Sequence, residues 1–216
     1  MVQENSIDLF LIQSSFILFI LIFWTIIKIN INKISKNISK KSNQTEIVKF
    51  SEEFPSVYNH LRKLKILDFP LWHLAVFSFI LAPEFFYSFF FIESLQLPFF
   101  QAIGILILGF FLLIYINLLG EMKESWRIGT KPQKAGQLVN SGLFKYVRHP
   151  IYASMLFIYV ASFLIVPNLV FAALLFIGVI AAYAQAKSEE YFLLNEFGKQ
   201  YSDYMKKTSM FFPKIF

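Results

Sequence analysis

Five long apolar runs decide most of what this chain can fold into. They extend from about Ile7 to Ile29, Phe69 to Ile92, Phe99 to Leu119, Pro150 to Val166 and Leu169 to Ala186. A helix needs about 20 apolar residues to cross the roughly 30 Å hydrocarbon core of a bilayer, and inside lipid every backbone N–H and C=O has to be paired within the structure. The runs therefore predict an all-α, polytopic membrane protein with five transmembrane helices. The overall composition agrees, since 56% of the residues are hydrophobic and only 16% charged, well outside the usual soluble balance.

Interruptions and turns organise the runs. Pro83-Glu84 breaks the second, and the link from Glu93 to Pro98 holds no Lys or Arg, so the second and third runs predict a hairpin. Pro167-Asn168 is the turn between the fourth and fifth, which form a terminal hairpin. Glu4 and Asp8 precede the first run and Lys28 follows it, the reverse of a secretory signal, so an uncleaved anchor helix is expected. Between Asn30 and Asp68 the chain is rich in Lys, Asn and Ser. Phe54, Val57, Tyr58, Leu61 and Leu64 then fall at helical spacing beside Arg62, Lys63 and Lys65, which suggests a helix lying on lipid headgroups.

Charge sets the expected orientation. All 20 Lys and Arg residues lie in three regions, Lys28 to Lys65, Lys123 to Arg148 and Lys187 to Lys214. Five spans put these regions on one side and the N-terminus, the Glu93 link and the Pro167 turn on the other. By the positive-inside rule the N-terminus is outside, and the active end and C-terminal tail, helix-like to about Lys207, are cytoplasmic. The net charge of +6 is thus a membrane-orientation signal and predicts no nucleic-acid partner. The chain divides into residues 1–119, three helices with a basic loop at 30–68, and residues 120–216, which carry the chemistry.

That chemistry centres on Gly142 to Ser154, G-L-F-K-Y-V-R-H-P-I-Y-A-S. Pro150 suits the first turn of a helix, whose free N–H groups and dipole would face an anion beside His149. Counting equally down both legs from Pro167 brings His149 level with about Gln185, and the next turns reach Lys187, Glu189 and Glu190. Arg148 and His149 on one wall and Glu189-Glu190 on the other would suit a zwitterionic ligand. Each cluster taken alone also suits a bland role, interface cations or a solvated helix face. Glu84, beside Pro83, reads as a shallow helix end. His60 and His73 are isolated, Cys is absent, and no metal site is expected. Trp126 suits an interfacial belt.

The Gly142–Ser154 run, with Glu189-Glu190-Tyr191, Leu194, Phe197-Gly198, Tyr201, Tyr204 and Pro213 downstream, resembles the C-terminal signature of the isoprenylcysteine carboxyl methyltransferases. It is similar in parts to the related phospholipid N-methyltransferases, and it covers roughly Ser125 to Pro213. The resemblance implies S-adenosylmethionine in a pocket between the terminal hairpin and the tail, and a lipophilic methyl acceptor arriving from the lipid side. It implies Arg148 and Glu190 as catalytic residues, and Gly142, Leu143, His149, Pro150, Tyr152 and Glu189 as cofactor contacts, with the roles of the two glutamates not yet divided. Ser154 stands where the family usually has glycine, and an arginine common before the glutamate pair is replaced by Ala184, Ala186 and Lys187. Two alternatives remain: a membrane reductase of the sterol type using NADPH, whose R-H-P-x-Y region is similar, and a non-catalytic scaffold.

Overall fold

A computed structural model describes residues 7–40, 56–88, 91–122 and 138–213. Within them lie helices α1 (Leu9–Lys40), α2 (Ser56–Leu81), α3 (Pro83–Ser88), α4 (Pro98–Met122), α5 (Pro150–Ile165), α6 (Leu169–Phe197) and α7 (Lys199–Lys207). Two short 3-10 turns, Glu93–Leu95 and Gly142–Lys145, complete the regular structure, and no strand occurs among the described residues.

Among the described residues, three helices contain segments long and apolar enough to cross a membrane, Leu9–Asn30, Pro98–Glu121 and Leu169–Phe197. The other two apolar segments, Leu67–Leu81 and Pro150–Ile165, are shorter. At 1.5 Å per residue, the 16 residues of α5 give about 24 Å, less than the usual hydrocarbon thickness. The second apolar run is not one continuous helix. Its helix stops at Leu81 and a separate short helix starts at Pro83, which has no N–H to continue the ladder. Glu84 lies exposed in the first turn of α3. At its other end α2 runs unbroken from Ser56 through Pro70, so the expected headgroup helix and the second run share one helix. Of that amphipathic stretch and His60 only the backbone from residue 56 is described, and Phe54 and Trp126 lie outside the described residues.

Large apolar side chains along α1, α4 and α6, among them Phe10, Leu21, Leu106, Phe110 and Phe176, are exposed. In a membrane protein this is lipid-facing surface. Because lipid is as apolar as the interior, burial gives the helices little reason to associate, and close packing with internal polar bonds has to hold them. Phe16 on α1 lies between Phe79 of α2 and Phe171 of α6. A Cβ on Gly104 of α4 would fall 2.6 Å from Ile165 Cγ1 and 2.8 Å from the Ala161 carbonyl oxygen, so glycine is what lets α4 and α5 meet there. The Trp72 indole N–H donates to Ser162 Oγ at 2.9 Å.

Two buried amides gather one end of the bundle. Gln101 accepts from the Ile7 N–H at 2.9 Å and donates to the Ile165 carbonyl at 3.2 Å. Asn168 caps α6 by accepting from Val170 N–H and donates to the Phe86 carbonyl, both at 2.7 Å. The start of α1, the α2–α3 break and the α5–α6 turn thus meet at one end, and the start of α5 and the far part of α6 fall at the other.

Candidate functional site

The site forms where the polar ends of α5 and α6 meet the returning tail. Pro150 occupies the first position of α5, with His149 as its N-cap residue. Gly198 ends α6 and precedes α7 at φ +51°, a backbone state that side chains disfavour, and so lets the chain fold back. Beyond α7 the tail runs parallel to the loop before α5. Arg148 N–H donates to the Ser209 carbonyl at 2.8 Å, His149 N–H to the Met210 carbonyl at 3.0 Å, and Ser209 N–H to the Tyr146 carbonyl at 3.2 Å. The Tyr204 hydroxyl adds a bond to the Phe144 carbonyl at 2.5 Å.

Two linked clusters result. Arg148 Nε donates to Glu190 Oε1 at 2.7 Å, while its Nη1 donates to the Met205 carbonyl at 3.2 Å and to the Thr208 carbonyl. With side chains 9% and 3% exposed, Arg148 and Glu190 form a buried ion pair tied to the tail. Lys187 Nζ approaches the other oxygen of Glu190 at 3.4 Å. In the second cluster the Tyr152 hydroxyl donates to Glu189, and Gln185 Nε2 donates to the same carboxylate oxygen at 3.0 Å. Glu189 is 36% exposed, so of the two glutamates it is the one open to the outside.

His149 joins the clusters. Its Nδ1 lies 3.6 Å from Glu189 Oε2 and its Nε2 3.6 Å from Glu190 Oε1. These are ion-pair distances, slightly long for hydrogen bonds, and the buried Nε2 has no hydrogen-bond partner. The ring stacks on Tyr152 with centroids 5.7 Å apart. Burial alone would lower the His149 pKa, but the two carboxylates more than offset it and hold it above the ordinary value. The imidazole is therefore biased towards its charged, doubly donating form.

Arg148, His149, Tyr152, Glu189 and Glu190, all singled out from the sequence, converge within this one region. Gly142 and Leu143 meet a residue that sequence reasoning missed: Leu143 N–H donates to Glu121 Oε2 at 3.2 Å. Gly142, at φ +57°, would place a Cβ 1.9 Å from that carboxylate, so a side chain there would be strained in its backbone and would displace Glu121. Gln185 could have been found from its helical i, i+4 spacing to Glu189. Glu121 carries no such signal, because loop closure alone brings it to Gly142.

Residues 101–195 match the sequence model of the isoprenylcysteine carboxyl methyltransferase (ICMT) family. The match supports the family to which the Arg148–Glu190 pattern pointed. It begins inside α4 and ends inside α6, crossing the division expected near residue 120 and holding both carboxylates, Arg148, His149 and Tyr152. The matched segment is less than half of the chain, and it is a likeness to that methyltransferase family. No curated protein matches the chain.

Proposed function

We propose that the protein transfers a methyl group from S-adenosylmethionine to a lipophilic or membrane-delivered acceptor. The observation that carries this reading is the convergence of Arg148, His149 and Tyr152 on Glu189 and Glu190 at the end of the terminal hairpin, inside the segment matched by the methyltransferase family. A zwitterionic cofactor suits that donor set. His149 Nε2 is buried and makes no hydrogen bond, only the 3.6 Å approach to Glu190, and the first turn of α5 offers N–H groups at the positive end of its dipole, both suited to a carboxylate. The half-exposed carboxylate of Glu189 suits an ammonium group. On this reading His149, Tyr152 and Glu189 bind the cofactor's amino-acid end, Pro150 shapes the wall, and Gly142 and Leu143 belong to the rim held by Glu121.

When bound, S-adenosylmethionine supplies a methyl on a cationic sulfur, already electrophilic. The chain's task is to align an acceptor lone pair with it and exclude water. Arg148 is fit to hold an acidic acceptor at that point. Glu190 is engaged by Arg148 and Lys187, so it acts first by positioning Arg148 and closing the tail over the site. A role as base towards an amine acceptor would require that pair to open.

The same reading takes all five apolar helices as crossings, the short α5 being accommodated by a local adjustment of the bilayer, with the N-terminus outside and the tail cytoplasmic. The reductase alternative is not favoured by the family match, and the scaffold alternative predicts no cofactor binding. Calorimetric titration of the detergent-purified protein with S-adenosylhomocysteine, with NADPH in parallel, tests all three. Saturable binding of the first, lost in His149→Ala, supports the methyltransferase. No binding of it refutes the reading.

A further inference from the structure

Two polar atoms near Glu190 are buried and have no hydrogen-bond partner: His149 Nε2 and the hydroxyl of Tyr201. Tyr201 belongs to α7, is 1% exposed, and packs against Tyr204 with ring centroids 5.8 Å apart. Tyr204 is fixed by its bond to the Phe144 carbonyl. One helical turn beyond Tyr201, the carbonyl of Met205 accepts from Arg148, whose Nε holds Glu190. The phenol therefore belongs to the same buried polar region as the ion pair.

A buried hydroxyl without a partner is costly to the fold and is rare in native structures. Here it adds to an excess of donors. Arg148, Lys187 and a protonated His149 face two carboxylates, so one positive charge is left over; His149 Nε2, 3.6 Å from Glu190 Oε1, and Tyr201 Oη–H make no hydrogen bond. Burial, with the Glu190 charge nearby, pushes the Tyr201 pKa up and keeps the phenol protonated as a donor. What this region lacks is an anionic oxygen.

We propose that Tyr201 is a ligand-binding residue whose hydroxyl, together with His149 Nε2, donates to a carboxylate of the bound ligand. The inference rests on the methyltransferase reading and adds to it a residue on the tail helix. Two sources share the chemistry, the carboxylate of the S-adenosyl ligand and the carboxylate of an acidic acceptor. The assignment also explains why the tail is tied back so firmly: α7 would bring part of the binding site with it.

Tyr201→Phe removes only the hydroxyl. The full-length protein and this variant are each titrated with two probe pairs: S-adenosylhomocysteine against 5′-methylthioadenosine, which lacks the amino-acid end, and N-acetyl-S-farnesylcysteine against its methyl ester. The parent should prefer the carboxylate-bearing member of one pair. The variant should lose about 10- to 100-fold of that preference, as expected for a hydrogen bond to a charged group, with the other pair unaffected. The affected pair names the source. Its melting temperature should stay level or rise, because a costly hydroxyl has gone, and a purely structural tyrosine would give that result alone. Undiminished preference in the variant, or a parent that discriminates in neither pair, overturns the proposal. A parent that does not bind S-adenosylhomocysteine at all refutes the methyltransferase reading, whereas a parent that binds it beside an unaltered variant refutes only the role of Tyr201.

Discussion

Breaking the Arg148–Glu190 pair should release the tail, and a double-mutant cycle measures by how much. The two side chains are 9% and 3% exposed and 2.7 Å apart. Removing one member of such a buried pair typically costs about 3–5 kcal/mol, because the other charge is stranded, whereas replacing both by apolar residues is often neutral. For Arg148→Met, the Met205 and Thr208 carbonyls lose their donor as well. For a chain of this length about 1 kcal/mol moves the melting temperature by roughly 2–4 °C, so Arg148→Met should melt about 6–20 °C lower. Glu190→Met should be comparably destabilised. The double variant should be more stable than the sum of the two losses by at least about 1.5 kcal/mol, the lower range for close charge pairs. Intrinsic-fluorescence melting of the detergent-purified proteins reads the stabilities. Trypsin adds a local readout, since Lys206 and Lys207 are exposed beside Thr208, where Arg148 holds the chain, and should be cut faster in either single variant. Additivity within about 0.5 kcal/mol, with unchanged cleavage, would refute the claim that this pair anchors the tail.

The raised pKa of His149 predicts a pH dependence whose sign follows from linkage: its contribution is fully present below the unfolded value near 6.5 and is lost as pH rises through the higher folded value. Melting temperature should therefore fall as pH increases above about 6.5, and His149→Phe should flatten that slope; an equal slope in the variant would remove the assignment. Gly142→Ala, at φ +57°, should destabilise by about 1–2 kcal/mol from the left-handed backbone state, a cost that adding Glu121→Ala should leave in place, as read by thermal melting. Gly104→Ala should overpack α4 against α5 and cost about 1–3 kcal/mol in the same assay. Because the chain has no Cys, single substitutions report membrane sidedness cleanly: in intact cells Ser94→Cys should react with an impermeant maleimide and Ser202→Cys should not, and the reverse would invert the orientation.

The meeting of the two clusters was legible before any coordinates. A hairpin of two helices closed at Pro167 has equal rise on both legs, so counting alone carries His149 to the level of Gln185 and the glutamates, and the contacts at 3.6 Å agree. The second apolar run shows where such counting fails. The break at Pro83-Glu84 was visible in the sequence, but composition cannot tell that Pro70 is tolerated inside α2 and that the helix therefore reaches back to Ser56.

Hydropathy and charge by themselves determined the class of this protein, an all-helical membrane chain with its polar residues gathered at helix ends, because lipid permits little else for such a sequence. The motif around Pro150 and the downstream glutamates marked the residues that converge at the end of the terminal hairpin. Only the tertiary structure distinguished Glu190, buried against Arg148, from the more open Glu189, since adjacent positions on a helix are indistinguishable by spacing yet point about 100° apart. Only it brought Glu121 to Gly142 and left the Tyr201 hydroxyl buried without a hydrogen bond on the helix that Arg148 holds. Those relations depend on where the tail returns and how α4 packs on α5. Such long-range geometry is chosen by close packing and polar closure, and no local pattern in the chain encodes it.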